Sequence, residues 1–343
     1  MTSPPPRDDD ELEELLSRPS PGVIDTLRRV PGDVIILGAG GKMGPSLATM
    51  IRRAANEHGD GREVIAVSRF SSDAVAAQLT DAGVRVVRAD LGSRAALAEL
   101  PDAPNAVYMA GQKFGTHDLP SLTWAVNTLV PAMVAERFAS SRLVAFSTGN
   151  VYPLSPADGT GSRETDPLTP VGEYANSCVG RERVLEHLSR TLGARIAIVR
   201  LNYAVDLRYG VLVDIAHRLV AGEPVPVHMG YVNVIWQGDA NAQAIRCLDL
   251  SAAPPFVVNV TGIDKLSVRD AATRIADLLH VRPRFAGIEA PDALLSDSSR
   301  ARSLFGEPRV STETLIDWVA SWVARGGTRL GKATKFEVRD GRY

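Results

Sequence analysis

The strongest constraint on the fold is a glycine cluster that directly follows a short apolar run. Residues 34–37 are all apolar, and an amphipathic run covers residues 47–55. Between them stand Gly38, Gly40, Gly41 and Gly44. This order predicts a buried strand, a tight turn and the start of a helix. Such a turn brings backbone N–H groups and a helix N-terminus against an anionic group, because glycine leaves no side chain in the way.

The glycine spacing specifies the kind of turn. Gly38, Gly41 and Gly44 fit the pattern G-x-x-G-x-x-G, because Met43 stands where the last glycine of G-x-G-x-x-G would be. A strand before the turn and a helix after it are the context that dinucleotide binding requires. We therefore predict that a dinucleotide cofactor binds here, with Lys42 and Met43 as further turn residues; the alternative is a glycine-rich turn with no ligand.

Composition limits the class of protein. The chain has 343 residues, 45% of them hydrophobic, and a net charge of -2, so it offers no general electrostatic case for binding nucleic acid or acidic membranes. Cys178 and Cys247 are too few for a disulfide framework or a zinc cluster. No apolar run approaches the roughly 18 residues that span a bilayer. We expect a cytoplasmic protein with no metal, nucleic-acid or membrane partner.

Short apolar strands alternate with helical runs after the glycine turn. Strands are predicted at 34–37, 63–68, 84–88, 106–110, 143–147 and 195–201, and helices at 71–82, 119–138 and 174–191. This rhythm predicts the α/β class, with a Rossmann-type doubly wound parallel sheet and ligands at the carboxyl ends of its strands.

The rhythm loosens beyond Leu201, which suggests a division of the chain. We expect an N-terminal extension (1–30), a dinucleotide-binding domain (31–202 plus 232–250), a smaller C-terminal substrate lobe (203–231 plus 251–325) and a mostly irregular arm (326–343).

The end of the second strand bears on which dinucleotide binds. A carboxylate there usually holds the ribose hydroxyls of NAD, whereas a basic residue accommodates the 2′-phosphate of NADP. The strand ends at Ser68-Arg69 with no acid, which favours NADP over NAD; otherwise Arg69 is a solvated surface residue. Asp90 and Leu91 follow the third strand, where Asp90 either meets the adenine edge or caps the next helix.

A further set of residues carries a family resemblance. Thr148 ends the fifth strand, Tyr174 follows 26 residues later, and Ala110-Gly111-Gln112-Lys113 follows the fourth strand. With the glycine turn, this resembles the extended short-chain dehydrogenase/reductase family, the NAD(P)-dependent epimerase/dehydratase group, and most closely its UDP-glucose 4-epimerase-like members. The resemblance covers roughly residues 34–250.

The resemblance implies roles for these residues. Thr148 would hold the reacting hydroxyl and Tyr174 would be the acid/base. Ala110, Gly111, Lys113 and Asn127 would contact the cofactor. It also implies a homodimer formed through the helices at 119–138 and 174–191.

The largest departure from the family pattern stands four residues after Tyr174. The family has a lysine there, which binds the nicotinamide ribose and stabilises the tyrosine phenolate, whereas this chain has Cys178. A tyrosine with a pKa near 10 is a poor base at neutral pH without such a cation. Three alternatives follow. Lys113 supplies the charge, Arg181 or Arg183 reaches the site, or the protein binds the dinucleotide without turnover.

The substrate is less well specified than the cofactor. Candidate substrate-binding residues are Asn150, Asn202, Arg208 and Trp236. Val232 stands where nucleotide-sugar members of the family have a phosphate-binding arginine. The absence of that arginine favours a smaller sugar, sugar acid or polyol as the substrate. We expect an NAD(P)-dependent epimerase/dehydratase or oxidoreductase that acts on a sugar, sugar acid or nucleotide-sugar through a keto intermediate. The alternatives are a net NADPH-dependent reductase and a non-catalytic dinucleotide-sensing protein.

Overall fold

A parallel sheet forms the centre of the structure, a computed structural model that describes residues 4–115 and 118–343. Within those residues the sheet has seven strands, in the order β7-β6-β5-β4-β1-β2-β3. Their bounds are β1 (Val34–Leu37), β2 (Val64–Ser68), β3 (Arg85–Arg88), β4 (Asn105–Tyr108), β5 (Arg142–Thr148), β6 (Arg195–Leu201) and β7 (Phe256–Val260). All neighbouring strands are parallel. The predicted Rossmann-type α/β class is confirmed.

Helices cover the sheet and build a second lobe. Their bounds are α1 (Asp9–Leu16), α2 (Pro21–Arg29), α3 (Gly44–His58), α4 (Asp73–Asp81), α5 (Arg94–Ala98), α6 (Pro120–Trp124), α7 (Val130–Arg137), α8 (Gly172–Leu192), α9 (Val211–Val220), α10 (Gln237–Arg246), α11 (Val268–Leu279), α12 (Ser299–Phe305) and α13 (Thr312–Ala324). Within the described ranges, none of them is long and apolar enough to cross a membrane.

The side chains of β1 alternate between two apolar layers. Val34 and Ile36 pack in the same core cluster as Leu47 of α3, whereas Ile35 and Leu37 pack in the cluster that contains Val134 of α7. A strand covered by helices on both faces is apolar throughout, which explains the uninterrupted apolar run in the sequence.

The sheet is one strand wider than the six that the sequence predicts. β7 pairs with β6 in parallel, from Phe256 opposite Ala197 to Val260 opposite Leu201. The predicted boundaries assign this segment to the substrate lobe, because the regular alternation of strands and helices loosens beyond Leu201. Its pairing places it in the central sheet.

The smaller lobe has its own core, built from α9, α11 and α13. Of the N-terminal extension, residues 1–3 lie outside the described ranges, and α1 contributes Leu12 and Leu16 to this core. Pairs of two-residue strands complete the lobe and its junction with the sheet: 204–205 with 235–236, 225–226 with 285–286, 231–232 with 266–267, and 155–156 with 292–293.

The helix predicted over 119–138 is interrupted. A π-helical turn, Ala125–Leu129, separates α6 from α7 and carries the buried Asn127. Single π-helical turns are frequent at functional sites. After α13, residues 326–343 contain no helix or strand, and they run from the lobe back to the carboxyl ends of the sheet strands.

Candidate active site

The glycine turn after β1 is packed too tightly for side chains. Gly38 has a φ of +95°, and a Cβ there would lie 2.6 Å from the backbone nitrogen of Ala110. A Cβ on Gly44 would lie 2.3 Å from the carbonyl oxygen of Ala39. Both glycines are therefore needed for close packing between the turn, α3 and the loop after β4.

The start of α3 has the features of an anion site. Its N-cap residue, Met43, makes no side-chain capping bond, and the first turn contains no acidic residue. The first N–H groups of a helix have no partner within the helix, and they carry its positive dipole end. A Cβ on Gly41 would be in ordinary van der Waals contact with the carbonyl oxygen of Gly38, at 3.5 Å. These residues fit the pyrophosphate of a dinucleotide.

The segment after β2 lies next to this turn. A Cβ on Gly40 would be 2.7 Å from Oγ of Ser68, so the two residues touch. Arg69 is exposed beside them, and Arg88 of β3 donates to the carbonyl oxygen of Phe70 at 2.8 Å, which braces the backbone. Ser68 and Arg69 would therefore lie near a 2′-phosphate on the adenosine ribose of a bound dinucleotide.

Asp90 and Leu91 follow β3 at the same edge. The carboxylate of Asp90 is exposed and accepts from the N–H of Gly92 at 2.9 Å. The following helix, α5, is capped by Ser93, which accepts from the N–H of Ala96. The alternative role of Asp90 as a helix cap is therefore excluded. Leu91 is buried under the loop.

Asn127 ties the loop after β4 to α8. Its Oδ1 accepts from the N–H of Gln112 at 2.8 Å, and its Nδ2 donates to the carbonyl oxygen of Gln112 at 2.9 Å. Nδ2 also donates to Oγ of Ser177 at 3.0 Å. The loop that carries Gly111 and Lys113 is thus held by one buried side chain.

Arg181 is a buried cation under the same loop. Its Nη1 donates to the carbonyl oxygen of Phe146 at 2.6 Å, and its Nε donates to the carbonyl oxygen of Asn127 at 3.0 Å. Its side chain therefore reaches back along α8 toward the catalytic end of the site. The hypothesis that Arg181 replaces the charge of the family lysine requires this direction. Arg183 is exposed on the helix and pairs with Glu186 at 3.2 Å.

Thr148 and Tyr174 come together at the end of β5. Thr148 is the last residue of that strand, Tyr174 lies in the first turn of α8, and their side chains are close enough for Thr148 to affect the pKa of Tyr174. Oγ1 of Thr148 also lies 3.0 Å from Oδ1 of Asn150. Burial raises the pKa of Tyr174 far above its usual value, while Thr148 and Arg181 act in the opposite direction.

Cys178 lies one helical turn beyond Tyr174. Its side chain is fully buried and packs in a small cluster with Val151 and Tyr152. Burial raises the pKa of the thiol, and the nearby Arg181 only partly opposes this. A neutral thiol therefore occupies the position. Among the described residues no group of acidic, histidine and cysteine side chains could hold a metal ion.

Two partly buried lysines, Lys42 and Lys113, flank the site. Nζ of Lys113 lies 4.5 Å from the ring centroid of Tyr343 and donates to the carbonyl oxygen of Thr334 at 3.4 Å. Lys42 lies 4.0 Å from the ring centroid of Tyr209. Burial lowers the pKa of each lysine to about 8.

Two of the predicted substrate-binding residues lie at the strand ends. Nδ2 of Asn150 donates to the hydroxyl of Tyr343 at 2.5 Å. Asn202 is buried after β6, where its Cγ would be 3.0 Å from a Cβ on Gly149. Asn202 therefore supports the backbone next to Thr148.

The other two predicted substrate-binding residues are elsewhere. Trp236 is 2% exposed in the lobe core, with its ring edge-on to Trp318 at 5.5 Å between centroids. Arg208 is paired with the carboxylates of Asp206 at 2.8 Å, Glu13 at 2.7 Å and Asp9 at 3.5 Å. Trp236 is a packing residue, and Arg208 joins α1 to the lobe, so neither is part of the group around Tyr174.

Tyr343 is the site residue that the sequence reasoning missed. It lies beside Tyr174, with ring centroids 5.7 Å apart and an interplanar angle of 81°. The arm that carries it has no periodic pattern, and a contact between residues so far apart in the chain leaves no local signal.

Comparisons with known proteins agree with this geometry. The NAD dependent epimerase/dehydratase family matches residues 34–205. No curated protein sequence matches the chain. Among solved structures, a dTDP-glucose 4,6-dehydratase from Streptomyces venezuelae is similar, with a TM-score of 0.71 and 18% identity over 86% of this chain and 97% of that one. UDP-glucose 4-epimerase from Thermus thermophilus, in complex with NAD, gives a TM-score of 0.68 and 19% identity over 86% and 99%. A UDP-galactose 4-epimerase gives 0.66 and 20% over 85% and 99%.

Proposed function

Because the chain belongs to the NAD-dependent epimerase/dehydratase family, we propose that it acts on a hydroxyl of a sugar-like substrate through a keto intermediate. One observation carries the proposal. The side chains of Thr148 and Tyr174 lie close together at the carboxyl end of β5, on the same sheet edge as the glycine turn. The similar solved structures include nucleotide-sugar epimerases and a dehydratase, which supports a sugar-like substrate.

In this proposal the chain's own residues bind the cofactor and handle the proton. The start of α3 holds the pyrophosphate, and the loop fixed by Asn127 holds the nicotinamide end. A nicotinamide held there would supply reversible hydride transfer at the substrate's carbinol carbon. Thr148 holds the substrate oxygen, and Tyr174 removes the hydroxyl proton or returns it.

Arg181 and Lys113 provide the positive charge that the family lysine would supply. Arg181 lowers the pKa of Tyr174 against the larger effect of burial. Lys113 lies over the ring of Tyr343, which is edge-on to Tyr174, and it opposes the raised pKa of the Cys178 thiol. Both cations act from a distance, so the phenolate is stabilised less than by a lysine one helical turn away.

We favour NADP as the cofactor. Ser68 and Arg69 stand at the end of β2 without any acidic residue, and Arg69 is exposed. A guanidinium binds a phosphate with two parallel hydrogen bonds, whereas it offers nothing comparable to ribose hydroxyls.

The raised pKa of Tyr174 favours a net reductase as a second candidate. A tyrosine that stays protonated at neutral pH is suited to giving its proton to the oxygen of a carbonyl being reduced. The same tyrosine is a slow acceptor in the oxidative direction.

We also propose a homodimer formed through α6, α7 and α8. Large apolar side chains are exposed on α6 and on the π-helical turn that follows it, namely Leu122 (45% exposed), Trp124 (40%) and Leu129 (51%). Such a contiguous apolar surface marks a protein interface.

The test begins with the dinucleotide that co-purifies with the protein. We expect it to be NADP, and we expect its absorbance at the reduced nicotinamide band, or the substrate's stereochemistry by NMR, to change with at least one sugar, sugar acid, polyol or nucleotide-sugar. A bound dinucleotide that never changes redox state, with every candidate recovered unaltered, would contradict turnover and indicate a dinucleotide-sensing protein.

A further inference from the structure

Residues Thr334–Tyr343, here called the strap, cross from the lobe to the catalytic residues. At the lobe, both the N–H and the Oγ1 of Thr334 donate to Oδ2 of Asp214 on α9, at 2.7 and 2.6 Å. Phe336 is 1% exposed in the lobe core. Arg218 of α9 pairs with Glu337 at 3.3 Å. The first half of the strap is therefore part of the folded lobe.

The second half of the strap is fixed against the dinucleotide-binding domain. A Cβ on Gly341 would lie 2.2 Å from the carbonyl oxygen of Val171, directly before α8, so the two backbones are in contact. Gly341 has a φ of +72° and Gly172 a φ of +85°, which only glycine adopts easily. Arg339 donates to the carbonyl oxygen of Asp292 at 2.8 Å.

The strap ends among the catalytic residues. The ring of Tyr343 lies edge-on to Tyr174 and under Lys113, and its hydroxyl accepts from Asn150. Tyr203, which follows β6, is close enough for Tyr343 to add to the rise in pKa that burial gives it. Tyr343 is 8% exposed, so it fills space beside the proposed acid/base.

Two alternatives exist for such a segment, a removable plug and a fixed wall. Lifting the strap would expose Phe336 to water. It would also deprive the buried Asp214 carboxylate of both donors on Thr334. Both changes oppose displacement, because apolar exposure and unpaired buried polar groups are unfavourable. The contacts therefore favour a wall that stays in place during turnover.

We propose that the strap is a fixed wall of the substrate site, and that it restricts the substrate to a small hydroxylated molecule that carries no nucleotide. This rests on the proposed function. The cavity left beside Tyr343 has a volume of about 20 Å³ and is lined by Asn150, Arg339 and Tyr343 among others. Space for about one water molecule is far below the roughly 300–1,000 Å³ of small-molecule pockets, so the strap leaves no room for a nucleotide there.

The test compares substrate size between the intact chain and strap variants. Tyr343→Ala removes the ring at the site, and Gly341→Ala displaces the strap from Val171 without removing a side chain. Arg342→Ala is the matched control. Arg342 stands between Gly341 and Tyr343 in the chain, and its side chain is 71% exposed. Each protein, loaded with its dinucleotide, is assayed with free sugars, sugar acids and polyols and with UDP-glucose. Circular dichroism and dinucleotide retention show that each variant is folded.

A wall and a plug give opposite results. For a wall, the intact chain and Arg342→Ala turn over a small substrate and not UDP-glucose, while Tyr343→Ala raises KM for the small substrate about tenfold with a smaller change in kcat. Faster turnover of the same substrate by Tyr343→Ala would identify a plug and overturn the proposal. Comparable kcat/KM of the intact chain for UDP-glucose and for free sugars would also overturn it.

Binding separates a failure of this inference from a failure of the proposed function. Equilibrium dialysis with labelled UDP-glucose needs no turnover. Absence of binding to the intact chain, with binding to Gly341→Ala or to Tyr343→Ala, supports the wall even when no substrate is turned over. Binding to the intact chain, or to none of the proteins, shows that the strap does not exclude the nucleotide and overturns the inference.

Discussion

Nη2 of Arg181 donates to Oδ1 of Asn127 at 3.0 Å, and the two side chains together support the loop that follows β4. A Cβ on Gly111 would lie 3.1 Å from that Nη2 and 3.3 Å from that Oδ1, so the loop rests directly on the pair. A fixed positive charge therefore lies under the catalytic end of the site, one turn from the position where the family lysine is replaced by Cys178.

Replacing Arg181 with methionine removes this charge and its hydrogen bonds. The carbonyl oxygens of Phe146 and Asn127 would lose their donors in a buried region, and we expect the free energy of unfolding to fall by about 3 kcal/mol. Arg183→Met is the matched control, since its side chain is 64% exposed, and we expect a change within about 0.5 kcal/mol. Urea denaturation of both variants measures this, and equal losses would contradict a special role for Arg181.

Restoring the family lysine at position 178 is expected to harm the protein. Cys178 is fully buried, and Arg181 and Lys113 already place positive charge around it. A longer side chain overpacks the site and adds a third cation, so we expect Cys178→Lys to cost about 1–3 kcal/mol of stability and to lower turnover. Cys178→Ser controls for loss of the thiol. Faster turnover by Cys178→Lys would instead identify a site weakened by the missing lysine.

Arg69 decides the proposed preference for NADP. We expect Arg69→Ala to raise the Kd for NADP about 10–100-fold, because a charge-assisted pair with the phosphate is lost, and to leave the Kd for NAD nearly unchanged. Arg85→Ala, at an exposed arginine of β3, is the control. Isothermal titration calorimetry with the dinucleotide-free protein measures both dissociation constants. A similar loss for the two dinucleotides would refute phosphate recognition by Arg69.

The proposed dimer depends on apolar side chains near the π-helical turn. We expect Leu129→Asp to be a monomer by analytical ultracentrifugation, because burying an unpaired carboxylate opposes association. Leu278→Asp, at a residue 44% exposed on α11, should sediment as the intact protein does. A dimer that survives Leu129→Asp would place the interface elsewhere.

Local sequence patterns predict most of the sheet and the positions of Thr148 and Tyr174, but only some of the residues around this pair. The glycine turn, β1 to β6 and the start of α8 follow from apolar runs and turn residues, which act over short stretches of chain. Sequence patterns assign β7 to the lobe because the alternation of strands and helices loosens beyond Leu201, and local patterns do not show that its five residues pair with β6. The sequence leaves Arg181 as one of several candidates to replace the charge of the family lysine, because helical spacing alone does not show where a long side chain bends.

Contacts between distant segments explain what the sequence does not predict. Tyr343 reaches Asn150 across 193 positions of chain, and the segment that carries it has no helix or strand. Trp236 is a residue that the sequence suggests for the site and the structure places elsewhere. An aromatic residue near a site pattern suggests sugar stacking, but Trp236 packs edge-on against Trp318 in the lobe core.

The most direct test of the account is the pH dependence of substrate oxidation by the intact chain and by Tyr174→Phe. Only the phenolate accepts a proton, and burial raises the pKa of Tyr174, so its fraction grows about tenfold per pH unit below that pKa. The account predicts a rate that rises from about pH 7 to pH 9 without a plateau, and a loss of about 10²–10⁴-fold in Tyr174→Phe. A Tyr174→Phe protein that keeps the rate and the pH profile of the intact chain would contradict it.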